Sequence, residues 1–336
     1  MTARFQLSGI RWPASLIMLI LTAAPACSPP GGINIRPIPA DQSLRERVVE
    51  RHPGWVWNRI AVIDIAGILT NAREFKLLSE GEHIVSLTME KLEKAAKDKR
   101  VKAIVLRINS PGGTVTASDI LYSEILAFKK KTKKPVVAYF QDVAASGAYY
   151  LACAADEIIA QRTTVTGSIG VIMQMADLSG TLAKLGIQTD AIKSGPMKDA
   201  GSPFRKMAPE ERDLFQSLVD GFYAQFVNAV DEGRPGLSRD EVLKLADGRV
   251  YNAEQALKAG LIDRIGTIHD AVEVAKKRAH IKAAHVVRYA RPLSWSPNVY
   301  AQAPRVASAT INILNIKMPF DWTQRPRFMY IWDVSE

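Results

Sequence analysis

Three short apolar runs alternate with stretches of helical spacing, and this alternation constrains the fold more than any other feature. The runs are Ile60-Ala61-Val62-Ile63-Asp64-Ile65, Ala103-Ile104-Val105-Leu106-Arg107-Ile108 and Val136-Val137-Ala138-Tyr139-Phe140. Each has strand length and is almost continuously apolar, so a strand built from it needs cover on both faces. Between the first two, residues 82–97 bring Ile84, Leu87, Leu92 and Ala95 or Ala96 to one helical face. A second helix is expected over about Ala117–Lys130 and a third from near Ala145, with a short strand at Glu157-Ile158-Ile159-Ala160. Strands alternating with helices in this way predict an α/β fold with a largely parallel sheet. Helical spacing returns at about Pro209–Asp231, Ser238–Ala246, Ala253–Ala259 and Ile268–His280. Beyond His285 the composition shifts to scattered proline, arginine and aromatic residues, which predicts an irregular tail over residues 285–336.

The amino-terminal flank reads as targeting rather than fold. Arg4 and Arg11 precede the apolar centre Leu16-Ile17-Met18-Leu19-Ile20-Leu21, and Ala24-Pro25-Ala26 matches a small-residue cleavage site. Residues 1–26 are therefore expected to be a signal peptide or an amino-terminal membrane anchor, with export as the consequence. Cys27 follows at once, where a lipidated cysteine would stand, although Ala24 occupies the position of the usual leucine. Lipidation, simple cleavage and a retained anchor all stay open. Ser28-Pro29-Pro30-Gly31-Gly32 and Pro37-Ile38-Pro39 mark residues 27–56 as a linker, leaving residues 57–284 as the main folded domain.

Of 336 residues, 47% are hydrophobic and 23% charged, enough for a substantial core and unlike a disordered chain. The net charge of +10 invites an anionic partner, but five lysines between Lys129 and Lys134 sit where a helix should end, and cations suit that end of the macrodipole. No base-stacking aromatics interleave with the basic residues, so no nucleic-acid partner is expected. Two cysteines are too few for a disulfide framework or a structural zinc site. Cys153, inside Leu151-Ala152-Cys153-Ala154-Ala155, reads as a small buried hydrophobe.

Four segments have compositions that packing alone does not require. Ser110-Pro111-Gly112-Gly113 ends a strand, where ligands of open α/β sheets sit, and paired glycines let backbone N–H groups approach a substrate. In Asp142-Val143-Ala144-Ala145-Ser146-Gly147-Ala148-Tyr149-Tyr150, a serine stands where a strand gives way to a helix, with the Gly147 N–H free to meet an oxyanion. Ser146 equally suits a helix N-cap, and this segment alone does not decide between the two. Thr166-Gly167-Ser168-Ile169-Gly170-Val171 holds Ser168 on a tight backbone. Lys193-Ser194-Gly195-Pro196-Met197-Lys198-Asp199 carries a lysine outside any amphipathic helix pattern. A nucleophilic serine needs a base, and His52, His83, His269, His280 and His285 all lie in the linker or in or beside expected helices. Serine–lysine catalysis is a known variant of the triad. It needs a neutral amine, and burial is the means of bringing an ammonium down from about 10.4.

Together and in this order, the four segments resemble the bacterial signal peptide peptidase A family of single-copy serine proteases. The likeness runs from about Ile60 to His280 and includes Asp247-Gly248-Arg249-Val250-Tyr251 and residues 256–263. It implies Ser146 as nucleophile, Lys198 as general base, Ser168 as the group orienting that lysine, and Gly113 beside Gly147 as the oxyanion hole. It further implies a crotonase/Clp-protease-like fold of repeated ββα units and no cofactor or metal. Ring-shaped homo-oligomers with sites shared between neighbouring copies are part of the same expectation. The implied substrates are cleaved signal peptides, cut at the extracytoplasmic face of the cell membrane after small or medium apolar residues. Ala148 departs from the family's usual glycine. Two other readings stay in view. A crotonase-like acyl-thioester enzyme would share the oxyanion geometry, and an inactive membrane scaffold would share the fold.

Overall fold

The apolar runs do become strands covered on both faces. A computed structural model describes residues 43–71, 75–76, 79–80, 84–292 and 328–332. In chain order it begins with β1 (Arg45–Glu50), β2 (Arg59–Ala66), the pair β3 (Phe75–Lys76) and β4 (Ser79–Glu80), and α1 (Ile84–Lys97). Next come β5 (Val101–Ser110), β6 (Gly112–Thr114), α2 (Val115–Thr132), β7 (Val136–Ala145), α3 (Gly147–Ala152), β8 (Glu157–Ala160) and β9 (Val165–Gly167). β10 (Ile172–Met173), α4 (Ser179–Lys184), α5 (Pro209–Gly233), α6 (Arg239–Leu245), β11 (Val250–Asn252) and α7 (Ala253–Lys258) follow. The last elements are β12 (Arg264–Ile265), α8 (Ile268–Arg278), β13 (His285–Ala290) and β14 (Phe328–Ile331).

The main sheet runs in the order β1-β13-β2-β5-β7-β8-β12, with β9 and β11 continuing from the end of β7. Every pair from β13 to β12 is parallel, and β1 joins β13 antiparallel. Ile60 and Val62, Ala103 and Val105, and Val137 and Tyr139 point to one face and pack under Ile268, Ala271 and Ala275 of α8. Ala61 and Ile63, Ile104 and Leu106, and Ala138 and Phe140 point to the other. There α1, α2, α3 and α5 close the larger core. Successive side chains of one strand thus meet different helices, which is why the runs show no polar alternation.

The lysine cluster ends α2 as its charge suggested. The Lys129 ammonium donates to Ala154 O at 2.7 Å and pairs with Asp156 at 2.9 Å. Lys134 reaches the carbonyls of Ala95 at 2.7 Å and Asp98 at 2.8 Å, at the end of α1. Cys153 is buried in the larger core, and burial pushes its thiol up to about 12.

Two expectations need correction. The segment beyond His285 is not irregular throughout: β13 is an interior strand of the main sheet, and β14 joins a second, three-stranded sheet in the order β10-β14-β6. β13 was hidden by the proline-, arginine- and aromatic-rich composition that sets in beyond His285, to which Arg288 contributes. The charge of Arg288 is answered in the interior by Asp64 of β2, which also accepts from Arg107 Nε at 2.6 Å. Likewise β1 falls inside the expected linker. Residues 1–42, with the expected targeting segment and Cys27, lie outside the described residues. Among the described residues no helix is long and apolar enough to cross a membrane.

Candidate active site

The carboxyl ends of the parallel strands β5 and β7 lie side by side, with Ser110 opposite Ala144, and each runs into a glycine-bearing turn. The turn after β5 is compressed. Ser110 Oγ accepts from the Gly112 N–H at 3.1 Å, and Gly112 has φ of +99°. A Cβ on Gly112 would stand 2.7 Å from Gly147 N and 3.1 Å from Ala145 O, so the two turns pack backbone to backbone. A Cβ on Gly113 would collide with the Leu69 carbonyl at 1.9 Å, and one on Gly147 with Ser118 Oγ at 2.2 Å. All three positions demand glycine on steric grounds.

Ser146 stands between β7 and α3 with φ +53° and ψ −120°, a conformation costly for any residue with a side chain. It is 1% exposed. Although it occupies the N-cap position, its side chain makes no cap hydrogen bond. The backbone around it is what fixes it: its N–H donates to Gly167 O at 2.7 Å, and its carbonyl accepts from Tyr150 N–H at 2.9 Å. The N–H of Gly147, first in the helix, has no intrahelical acceptor. This is the mechanical arrangement of a nucleophile elbow without its G-x-S-x-G sequence.

Ser168 is tied to the same framework. It follows Gly167, the residue that accepts from Ser146, and has φ of +50°. Its N–H donates to Arg249 O at 2.8 Å. The Asp247–Tyr251 stretch thereby acquires a task that its sequence did not reveal. Gly248 N–H donates to Ile169 O at 3.1 Å, β11 pairs with β9, and the Tyr251 ring lies where a Cβ on Gly167 would be. Asn109 and Asp142 were also missed. Asn109 Nδ2 donates to Asp142 at 2.8 Å and Asn109 Oδ1 accepts from Val143 N–H at 3.2 Å, bracing the last turn of β7.

Lys198 is found elsewhere. It is exposed, in a segment of turns between α4 and α5, with its N–H donating to Gly195 O at 3.1 Å. None of the hydrogen bonds or ion pairs among the described residues joins its ammonium to Ser146 or Ser168. What is well held is its neighbour. Asp199 accepts from Arg205 Nη2 at 2.8 Å and from Lys193 at 2.7 Å, and Arg205 also reaches Glu211 at 3.1 Å. Arg205, and then Lys193, hold the Asp199 carboxyl well below the usual carboxylate range. The structure thus unites Gly113, Gly147, Ser146 and Ser168 on one backbone framework and leaves Lys198 outside it.

His83 lies outside the described residues, and His52, His269 and His285 offer no substitute base. His52 N–H donates to His285 Nδ1 at 3.1 Å, at the amino ends of β13 and β2, whereas Ser146 lies beyond the carboxyl end of β7. His269 faces Glu50 at 3.5 Å. Among the described residues, no group of three or more His, Cys, Asp or Glu side chains is arranged to hold a metal ion.

Comparison with known proteins bears on the same residues. The family model of peptidase family S49 matches residues 128–282, and that of Clp protease matches residues 58–196. An Enterococcus faecium protein named as a signal peptide peptidase SppA is 35% identical over 280 residues, 81% of either chain. Protease 4 of Haemophilus influenzae is 34% identical over 220 residues, 66% of this chain but 35% of that protein's length. A chloroplastic serine protease SPPA of Arabidopsis thaliana is 34% identical over 247 residues, 72% of this chain and 36% of its own.

Proposed function

Peptidase family S49 is the family to which this chain belongs, as a serine protease of SppA type with a Clp-protease-like fold, and from that premise we propose how it works and where. Ser146 is the nucleophile. Its Oγ attacks a peptide carbonyl and its proton passes to the neutral amine of Lys198, which returns it to the leaving amine. The developing oxyanion meets the N–H groups of Gly113 and Gly147, and water then releases the acyl group by the reverse proton path. Ser168 orients the lysine. The observation that carries this reading is Ser146 itself: a strained, buried serine with no capping bond, wedged against two glycine turns.

Lys198 comes from a neighbouring copy in a ring-shaped homo-oligomer. Its exposure supports this, because a lysine base works from a covered site, and within one copy nothing covers Lys198. So does the company it keeps: Ile172, Leu185, Ile187, Ile192, Met197 and Phe204 all expose apolar side chains in the same region. A patch of that kind marks an interaction surface. The enzyme acts at the extracytoplasmic face of the membrane, anchored through residues 1–26 or lipid on Cys27, on the remnants of cleaved signal peptides. The printed name of the Enterococcus relative and the apolar segment ahead of Cys27 support that setting. The two carboxyl-end glycine turns would serve an acyl-thioester as well, but such an enzyme has no use for Lys198.

The test is hydrolysis of a fluorogenic peptide and of a synthetic signal peptide by the intact protein, Ser146→Ala and Lys198→Ala. Each substitution is expected to lower kcat/KM by about a thousandfold or more, because members of a catalytic unit fail together. Undiminished cleavage by either variant defeats the mechanism.

A further inference from the structure

The amino ends of the parallel strands, opposite the turns around Ser146, carry a surface that the proposed chemistry does not use. There the loop between β1 and β2 exposes two tryptophans, Trp55 at 93% and Trp57 at 60%, with half-buried Val56 between them. Tryptophan is ordinarily a well-buried side chain, so two in one short loop are out of place in water. Both ends of the loop are pinned to the start of β13. His52 N–H donates to His285 Nδ1 at 3.1 Å, and Asn58 O accepts from the His285 N–H at 2.9 Å.

Cations gather at the same end. Arg51 belongs to the loop. Lys282 adjoins Ala283, whose carbonyl accepts from Asn58 Nδ2 at 3.4 Å, and Lys99 adjoins Arg100, whose carbonyl accepts from the Arg59 N–H at 2.8 Å. Lys133 and Lys277 line an open cleft at the amino ends of β7 and β8. All five are exposed, and no ion pair among the described residues includes any of them. The neighbouring carboxylates are already answered: Asp98 by Arg100 at 2.8 Å, Asp156 by Lys129 at 2.9 Å, Glu273 by Lys276 at 2.5 Å, and Glu157 by Arg264 and Arg278 at 2.8 Å each. Glu50, facing His269 at 3.5 Å, subtracts one charge and leaves the balance positive.

Resting on the proposed anchoring at a membrane, we infer that this end of the molecule docks on an anionic phospholipid bilayer, its two indoles seated among the headgroups and its five cations against the lipid phosphates. Indole suits that depth, because its ring is apolar and its N–H still finds an acceptor. Each Lys or Arg near an anionic surface strengthens binding about fivefold. A second copy fits the surface poorly, because a two-fold contact would set the five cations against their own counterparts. The stretch from Cys27 to Ser43 spans at most about 55 Å, long enough to allow this approach from an anchored amino terminus. Docked so, Ser146 stands roughly 30 Å from the lipid, the length of β5, and the peptides it cuts are those that have left the bilayer.

The full chain in vesicles with brominated acyl chains tests this by tryptophan emission. The emission lost in the Trp55→Phe, Trp57→Phe double variant belongs to these two indoles. Bromine should quench that component by about half or more in vesicles containing phosphatidylglycerol, and little in phosphatidylcholine vesicles or at high salt. The Lys99→Gln, Lys133→Gln, Lys282→Gln variant should need more phosphatidylglycerol for the same quenching. Hydrolysis of a short soluble peptide by the double variant should be unchanged, since the loop lies far from Ser146. If the double variant does not fold, amide exchange of residues 51–58 in the intact chain decides, slowing on anionic vesicles only. Retention through a high-salt wash reads the anchor separately. A retained chain whose two indoles are not quenched keeps the anchor and overturns the docking, whereas quenching in a chain that washes away sinks the anchor and leaves the docking standing. Indoles shielded from iodide without vesicles, and uncovered on dilution, would give the surface to a second copy and overturn the inference.

Discussion

The Ser146 framework and the Lys198 segment are built by different means. Around Ser146 almost everything is buried, Gly112, Ser146, Gly167 and Ser168 hold positive φ without being loose, and two glycine turns touch backbone to backbone. Around Lys198 the chain is mostly exposed, α4 buries nothing, and order comes from a surface cluster of Asp199, Arg205, Lys193 and Glu211. One half of the proposed dyad is preorganised by its own core. The other is held out by a clamp of charged side chains, where in the proposed ring a second copy would complete it.

The contrast is broken most severely on the glycine side. Gly112→Ala would put a Cβ 2.1 Å from the Tyr330 carbonyl and 2.7 Å from Gly147 N, at a φ of +99°. A peptidase rate loss on the order of 100-fold is expected, the usual cost of a spoiled oxyanion hole, with a stability loss of about 1–3 kcal/mol. Full activity in Gly112→Ala, measured beside its melting temperature, would mean that the two turns do not form the hole. Lys198→Ala sharpens the other side: its activity should vanish while its unfolding free energy moves by less than about 0.5 kcal/mol, since an exposed side chain is being shortened. A large fall in the melting temperature of an isolated protomer would show that Lys198 is built into the fold.

The smallest effects belong to the clamp. Asp199→Asn is expected to lower activity several-fold and to speed amide exchange over residues 190–206, leaving exchange near Ser146 unchanged. The pH dependence follows from the sign of the Asp199 shift. A carboxyl depressed in the folded state stabilises above its unfolded value of about 3.9 and loses that contribution as pH falls below it. Protection against exchange in this segment, taken relative to the intrinsic rate at each pH, should therefore fall below about pH 4 before that of the main sheet. Simultaneous loosening of both regions would contradict the division.

Much of this was legible in the residues, and the gaps have physical causes. The apolar runs gave β2 and β8 nearly to their bounds and the central part of β5, because both faces of each are covered. β7 continues to Ala145, five residues past the Phe140 at which its apolar pattern stops, because Gln141, Asp142 and Val143 are not buried, while Val143–Ala145 pair with β9. β13 was lost because it opens the compositionally mixed stretch beyond His285, where Arg288 finds its interior partner, Asp64, only through the fold. β14 was lost because its partners, Gly112–Thr114 and Ile172–Met173, are far along the chain, and no local pattern records a long-range pairing. At Ser146 the missing capping bond and the positive φ are features that composition does not carry. That Lys198 stands apart from Ser146 is a property of one copy, and spacing along a chain is silent on what a second copy supplies.

Subunit mixing tests the shared site most directly. Ser146→Ala and Lys198→Ala proteins, each inactive, would be dissociated together, reassembled, and assayed on one fluorogenic peptide, with mixed assemblies verified by mass. If each site joins Ser146 of one copy to Lys198 of the next, some interfaces regain both residues and activity returns to about a quarter of the intact enzyme's. Mixed assemblies that form and stay inactive would contradict the account, because a serine and a lysine on the same chain can never be restored by mixing.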